Sequence, residues 1–123
     1  MTVTNQFAAH VGLDWADKKH DVCVQFKNCE RVFDVIEHTA EALDAWLTEL
    51  HQKVKGRIAI ALELKKGPVV YALQKYPFIT VFPVHALSLA RYRQAFSPSG
   101  AKDDPQDAEL ALELMLRLSL IHI

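Results

Sequence analysis

Cysteine, glycine and net charge are all scarce in this chain, and each shortage excludes something. Cys23 and Cys29 are the only cysteines among 123 residues, too few for a disulfide framework and, with no further pair, too few for a cysteine zinc site. Both are expected as reduced thiols of a cytoplasmic protein. The six histidines are scattered, without the close pairing of a zinc motif, and each is expected at the surface or partly buried rather than as a ligand. Four glycines build no glycine-rich loop that could cradle a phosphate. Net charge is only −1, from 14 basic and 15 acidic residues, so nucleic acid could be held through a local patch but not by the surface as a whole. No apolar run reaches the roughly 18 residues of a membrane-spanning helix. The N-terminus "MTVTNQFAAH" has neither the basic start nor the apolar stretch of a secretory signal.

What is present is one domain's length of chain, half of it hydrophobic, enough to bury a core. "FAAHVGLDW" is apolar nearly throughout, as in a strand buried on both faces. "DVCVQF" alternates Val22, Val24 and Phe26 with polar Asp21 and Gln25, and "RVFDVIE" follows after a turn, so the chain opens as an antiparallel meander of three strands. From Thr39 to Val54 the period changes to that of a helix, with Leu43, Trp46, Leu47, Leu50 and Val54 on one face and Gly56 as the stop. "RIAIALEL" is a fourth strand. Pro68 opens a helix running to about Tyr76, "FITVF" is a fifth strand ended by Pro83, and "HALSLARYRQAF" is a helix with Leu89, Tyr92 and Phe96 on one stripe. A last helix starts near Pro105. Its leucines, Leu110 to Leu118, suit either core packing or an interface. This order predicts an α/β fold: a mixed five-stranded sheet, the first three strands antiparallel, the fourth and fifth parallel to the first, and helices on both faces.

Two acids fall within apolar strands, where an unpaired carboxylate is costly to bury. Asp14 ends "HVGLD" and Glu63 lies near the end of "IAIALEL". In parallel neighbouring strands those ends adjoin, at the edge where open α/β sheets bind ligands. Alternatively each acid faces solvent or pairs with Lys19 or Lys65. The stretch "SGAKDDPQDAEL" (residues 99–110) adds three aspartates. Asp104, Pro105 and Asp107 make a sufficient helix start, with Asp104 as cap and Asp107 beside the helix dipole. The same geometry sets Asp104 and Asp107 one turn apart, able to aim at a common point, with Asp103 directed elsewhere. Four converging carboxylates require a cation, and hard oxygen donors select Mg²⁺ or Mn²⁺.

Taken together, "VGLDWADKKHDVCV", "IALELKKGPVVYAL", "FPVHALSLARYRQAF" and "SGAKDDPQDAELA" resemble the N-terminal domain of IS110-family transposases over about residues 8 to 116. The resemblance implies a ribonuclease H-like fold akin to the RuvC resolvase and a DEDD tetrad. In this chain the tetrad is Asp14, Glu63, Asp104 and Asp107, as both catalytic and metal-binding residues. It also implies Mg²⁺ or Mn²⁺ as cofactor, and DNA strand cleavage and exchange as the reaction. The implied partners are DNA, a structured guide RNA and further copies of the chain, with no membrane. The family pattern often has threonine where Asp103 stands, and Lys65 and Lys66 precede Gly67 here. Residues 1–118 are expected to form the RuvC-like domain. Residues 119–123 are then a tail at which the chain breaks off before a second domain carrying the family's nucleophilic serine, so this fragment alone is expected to be inactive.

Basic residues flank three of the proposed ligands: Lys18 and Lys19 after Asp14, Lys65 and Lys66 after Glu63, and Lys102 before Asp104, with Arg91 and Arg93 on the helix leading into that loop. They are expected to form a cationic rim for phosphates around a carboxylate pit, although lysine pairs in turns are commonly just solvated. A non-catalytic nucleic-acid-binding and oligomerisation module of the same fold is the alternative function. A sugar-kinase or actin-like ATPase is disfavoured because "WADKK" lacks the Gly, Ser or Thr that would cradle phosphate after Asp14.

Overall fold

Period-two alternation along the strands divides the protein into two unequal layers about one sheet. The computed structural model describes residues 6–63, 67–96 and 104–121. Its strands are β1 (Ala9–Asp14), β2 (Lys19–Phe26), β3 (Arg31–Glu37), β4 (Ile58–Glu63) and β5 (Ile79–Val84). Its helices are α1 (Ala40–Val54), α2 (Gly67–Gln74), α3 (Ala86–Phe96) and α4 (Asp104–Ile121). The sheet order is β3-β2-β1-β4-β5, antiparallel from β1 through β3 and parallel from β1 through β4 to β5. This is the topology that the sequence pattern predicts.

Large aliphatic side chains project to one face. Val11 and Leu13 of β1, Val22 and Val24 of β2, and Ile58, Ile60 and Leu62 of β4 cluster with Leu43, Leu47 and Leu50 of α1 and Leu73 of α2. The intervening positions are small: Cys23, Ala59 and Ala61 join Ala108, Ala111, Leu112 and Met115 of α4 and Leu89 of α3. Small residues on both surfaces let α4 approach closely. Gly12 shows how closely, since a Cβ there would lie 1.9 Å from the Ala108 carbonyl oxygen and 2.8 Å from the Leu112 nitrogen. The backbone of α4 therefore rests on β1, and burying Leu112 completely contributes roughly 1.5–3 kcal/mol. From the flank, Arg31 ties β3 to the same helix. Its guanidinium donates to Glu109 at 3.0 Å and pairs with Glu113, one turn on, while its Nε donates to Gln25 at 2.7 Å.

Local boundaries depart from expectation in three places. Thr39 caps α1, its hydroxyl accepting from the Ala42 N–H at 3.0 Å, but the left-handed residue at the other end is Lys55, at φ 53°, and not Gly56. Gly56 serves a close approach instead: a Cβ there would meet that of Ala8 at 2.8 Å. Pro83 lies inside β5 rather than ending it, which is tolerated because β5 is an edge strand and a missing N–H costs least there. The helix expected to reach Tyr76 ends at Gln74.

Candidate functional site

The parallel register pairs Gly12 of β1 with Ala61 of β4, so Asp14 and Glu63, two residues further on, end adjacent strands side by side. Alternation sends both to the face that carries Gly12 and Ala61, the face covered by α4. A third acid shares it. Asp21 is paired with Asp14 across the antiparallel ladder and only 7% exposed. Sequence alternation grouped Asp21 with polar Gln25 opposite the valines, yet α4 buries that side of β2. The register to Asp14 is the signal that could have singled Asp21 out.

Asp107 comes from the first turns of α4 and is 6% exposed. The neighbouring Ala108 carbonyl lies over Gly12, so the close seat of α4 on β1 delivers Asp107 to the part of the sheet where Asp14 and Glu63 end. One Asp107 oxygen, Oδ2, is buried without a hydrogen bond, while the side chain is otherwise engaged. Asp104 is the first residue of the helix, three positions before Asp107 and hence on the same side; its side chain lies outside the described residues, as does Asp103. Among the described residues no three His, Cys, Asp or Glu side chains form a ready cation cage. The acids at this end of the sheet offer only hard carboxylate oxygens, which suit Mg²⁺ or Mn²⁺ and not a thiophilic metal.

Of the expected rim, Lys18 and Lys19 are exposed in and after the turn that follows Asp14, and Arg91 is exposed on α3. Lys65, Lys66 and Lys102 and the side chain of Arg93 lie outside the described residues.

The histidines correct the sequence expectation. His20 is fully buried and His10 is 8% exposed, and His20 is not isolated: its Nε2 lies 3.1 Å from His38 Nδ1. The His20 Nδ1 accepts from the Ala16 N–H at 2.9 Å, so the ring is neutral with its proton on Nε2. It thereby shapes the turn directly after Asp14. Cys23, buried under α4, has its thiol pushed up to about 11, first by burial and then by Glu109. That makes it a packing residue and not a nucleophile.

Comparison with known proteins converges on one family. The sequence model of the DEDD transposases of the IS110 type, described as a transposase, matches residues 11–122. Over 113 residues the chain is 34% identical to the "Putative transposase y4uE" of Sinorhizobium fredii, covering 88% of this chain and 31% of that protein. Over 114 residues it is 32% identical to the "Mini-circle putative transposase for IS117" of Streptomyces coelicolor, covering 89% of this chain and 27% of that protein. The chain thus spans under a third of the length of these curated relatives. The mixed sheet, with its antiparallel start and helices on both faces, is consistent with the RuvC-like, ribonuclease H-like fold of such a domain. No helix among the described residues is long and apolar enough to cross a membrane. From strand order to carboxylate edge to family match, the chain belongs to the IS110 family of DEDD transposases.

Proposed function

We propose that this chain is the acidic, metal-binding part of an IS110-type DNA transposase, with Asp14, Glu63, Asp104 and Asp107 as its tetrad and Asp21 supporting Asp14 from the next strand. One observation carries the reading: Asp14 and Glu63 end adjacent parallel strands on the face where α4 brings Asp107. A divalent cation held there would favour deprotonation of the attacking hydroxyl and stabilise the negative charge that develops on the leaving oxygen in phosphodiester cleavage. The protein's own part is to set these carboxylates at one end of the sheet, where a bound cation would draw them together against their mutual repulsion. Lys18, Lys19, Lys65, Lys66, Arg91, Arg93 and Lys102 would engage DNA phosphates around this edge, and a guide RNA and further copies of the chain belong to the complete assembly. A second reading, a binding and oligomerisation module without catalysis, draws support from Val32, Phe33 and Val35, which stand exposed on edge strand β3.

Calorimetric titration with Mn²⁺ separates the two. The wild type should bind, and Asp14→Asn, Glu63→Gln and Asp107→Asn should each weaken binding by about tenfold or more, on the order of one lost hard ligand. Wild-type binding equal to that of all three variants would favour the module. Replacing Lys65 and Lys66 by alanine should lower the salt slope of DNA binding by about two, roughly one per phosphate contact.

A further inference from the structure

On the sheet face opposite α4, a cavity of about 540 Å³ opens between the start of α1 and α2. Trp15, His38, Lys75 and Tyr76 line it together with aliphatic Leu43 and Val69. Its two largest rings are held from outside the cavity. Trp15 stacks on the buried His20, with centroids 3.5 Å apart and planes 8° from parallel, and the Tyr76 hydroxyl donates to Asp44 at 2.6 Å. Rings positioned in advance lose little freedom when a flat ligand enters. A base linked to phosphate offers both an aromatic face for these rings and a negative charge for exposed Lys75.

The position narrows the ligand further. Trp15 directly follows Asp14 but packs on the other side of the sheet, so the cavity and the acidic edge share the C-terminal end of β1 on opposite faces, and a strand engaging both would pass over that end. We propose that the cavity receives one unpaired base of the DNA strand whose backbone lies at the acidic edge, stacked on Trp15 and with its phosphate near Lys75. Aromatic stacking of this kind tolerates any base, because every base has a π-face. The inference rests on the nucleic-acid reading above and names the conformation in which the strand is held.

Tryptophan fluorescence can test it, since Trp15 and Trp46 are the only tryptophans and Trp46→Phe leaves Trp15 as sole reporter. In that background a short oligodeoxythymidine should quench Trp15, and a blunt duplex of equal length should not. Ala72→Leu, which fills the cavity, and Lys75→Glu, an exposed change that spares the fold, should each weaken single-strand affinity by about fivefold or more, with unchanged circular dichroism. Both variants binding like the parent, or a blunt duplex quenching equally, overturns the cavity assignment while leaving DNA binding at the edge intact. Stronger quenching by oligouridine overturns the choice of DNA. Failure of any nucleic acid to bind removes the underlying reading and the cavity assignment together.

Discussion

Replacing Gly12 by alanine tests the packing on which the candidate site depends. The added methyl would lie 1.9 Å from the Ala108 carbonyl oxygen, 2.8 Å from the Leu112 nitrogen and 2.9 Å from the Leu112 Cβ. Two of these three neighbours are backbone atoms of α4, so no rotamer change relieves the clash and the helix must move by more than an ångström. Overpacking a well-filled core costs about 1–3 kcal/mol, and a clash with helix backbone belongs at the upper end. At about 4 °C per kcal/mol for a domain of this size, the midpoint of thermal unfolding should fall by about 10 °C. Gly56→Ala is the milder comparison, because its added methyl has one close neighbour, the Ala8 Cβ at 2.8 Å, just ahead of β1; since that Cβ moves only with its backbone, the cost should be about 1–2 kcal/mol, below that of Gly12→Ala. Mn²⁺ affinity should fall in Gly12→Ala even at temperatures where the protein remains folded, since Asp107 moves with Ala108. A Gly12→Ala midpoint within about 2 °C of the parent would refute the close seating of α4 on β1. Loss of stability with unaltered Mn²⁺ affinity would uncouple that seating from the site.

Burial holds His10 below its ordinary value, so the unfolded chain takes up a proton first as the solution is acidified. His10 therefore contributes stability fully above about pH 6.5, and this is lost as pH falls through its depressed folded value; denaturant midpoints from pH 7.5 to 5 should decline less steeply in His10→Phe. The thiols should differ sharply in a timed reaction with a thiol reagent at pH 8. Exposed Cys29 should be modified promptly, and Cys23, buried and shifted to about 11, only on unfolding. Equal rates in the native protein would contradict the burial of Cys23 under α4.

Much of the fold is legible in the chain because its signals are local. The change from period two to helical period at Thr39 marks the end of the meander, and that helix does bury Leu43, Leu47 and Leu50. Acids ending apolar strands pointed to Asp14 and Glu63, and parallel pairing sets them side by side. Local rules failed where a distant segment intervened. Pro83 reads as a stop until the strand is known to be at the sheet edge. Asp21 and Gln25 read alike, but only Asp21 is buried, whereas Gln25 is reached by Arg31. Histidines 18 residues apart in sequence gave no sign of meeting, yet His20 and His38 are in hydrogen-bonding contact beside Trp15.

The sequence by itself determined the element order, the sheet topology and the family, and singled out the acids proposed as the site, because apolar periodicity and motif spacing are properties of neighbouring residues. Only the tertiary structure decided which side of the sheet each acid occupies, that Asp21 joins them, and that Gly12 seats the helix bearing Asp107. Those outcomes depend on which layer of helix covers which face, and that is set by the sizes of side chains distant in sequence: aliphatic residues where α1 and α2 pack, and glycine, cysteine and alanine where α4 must come close.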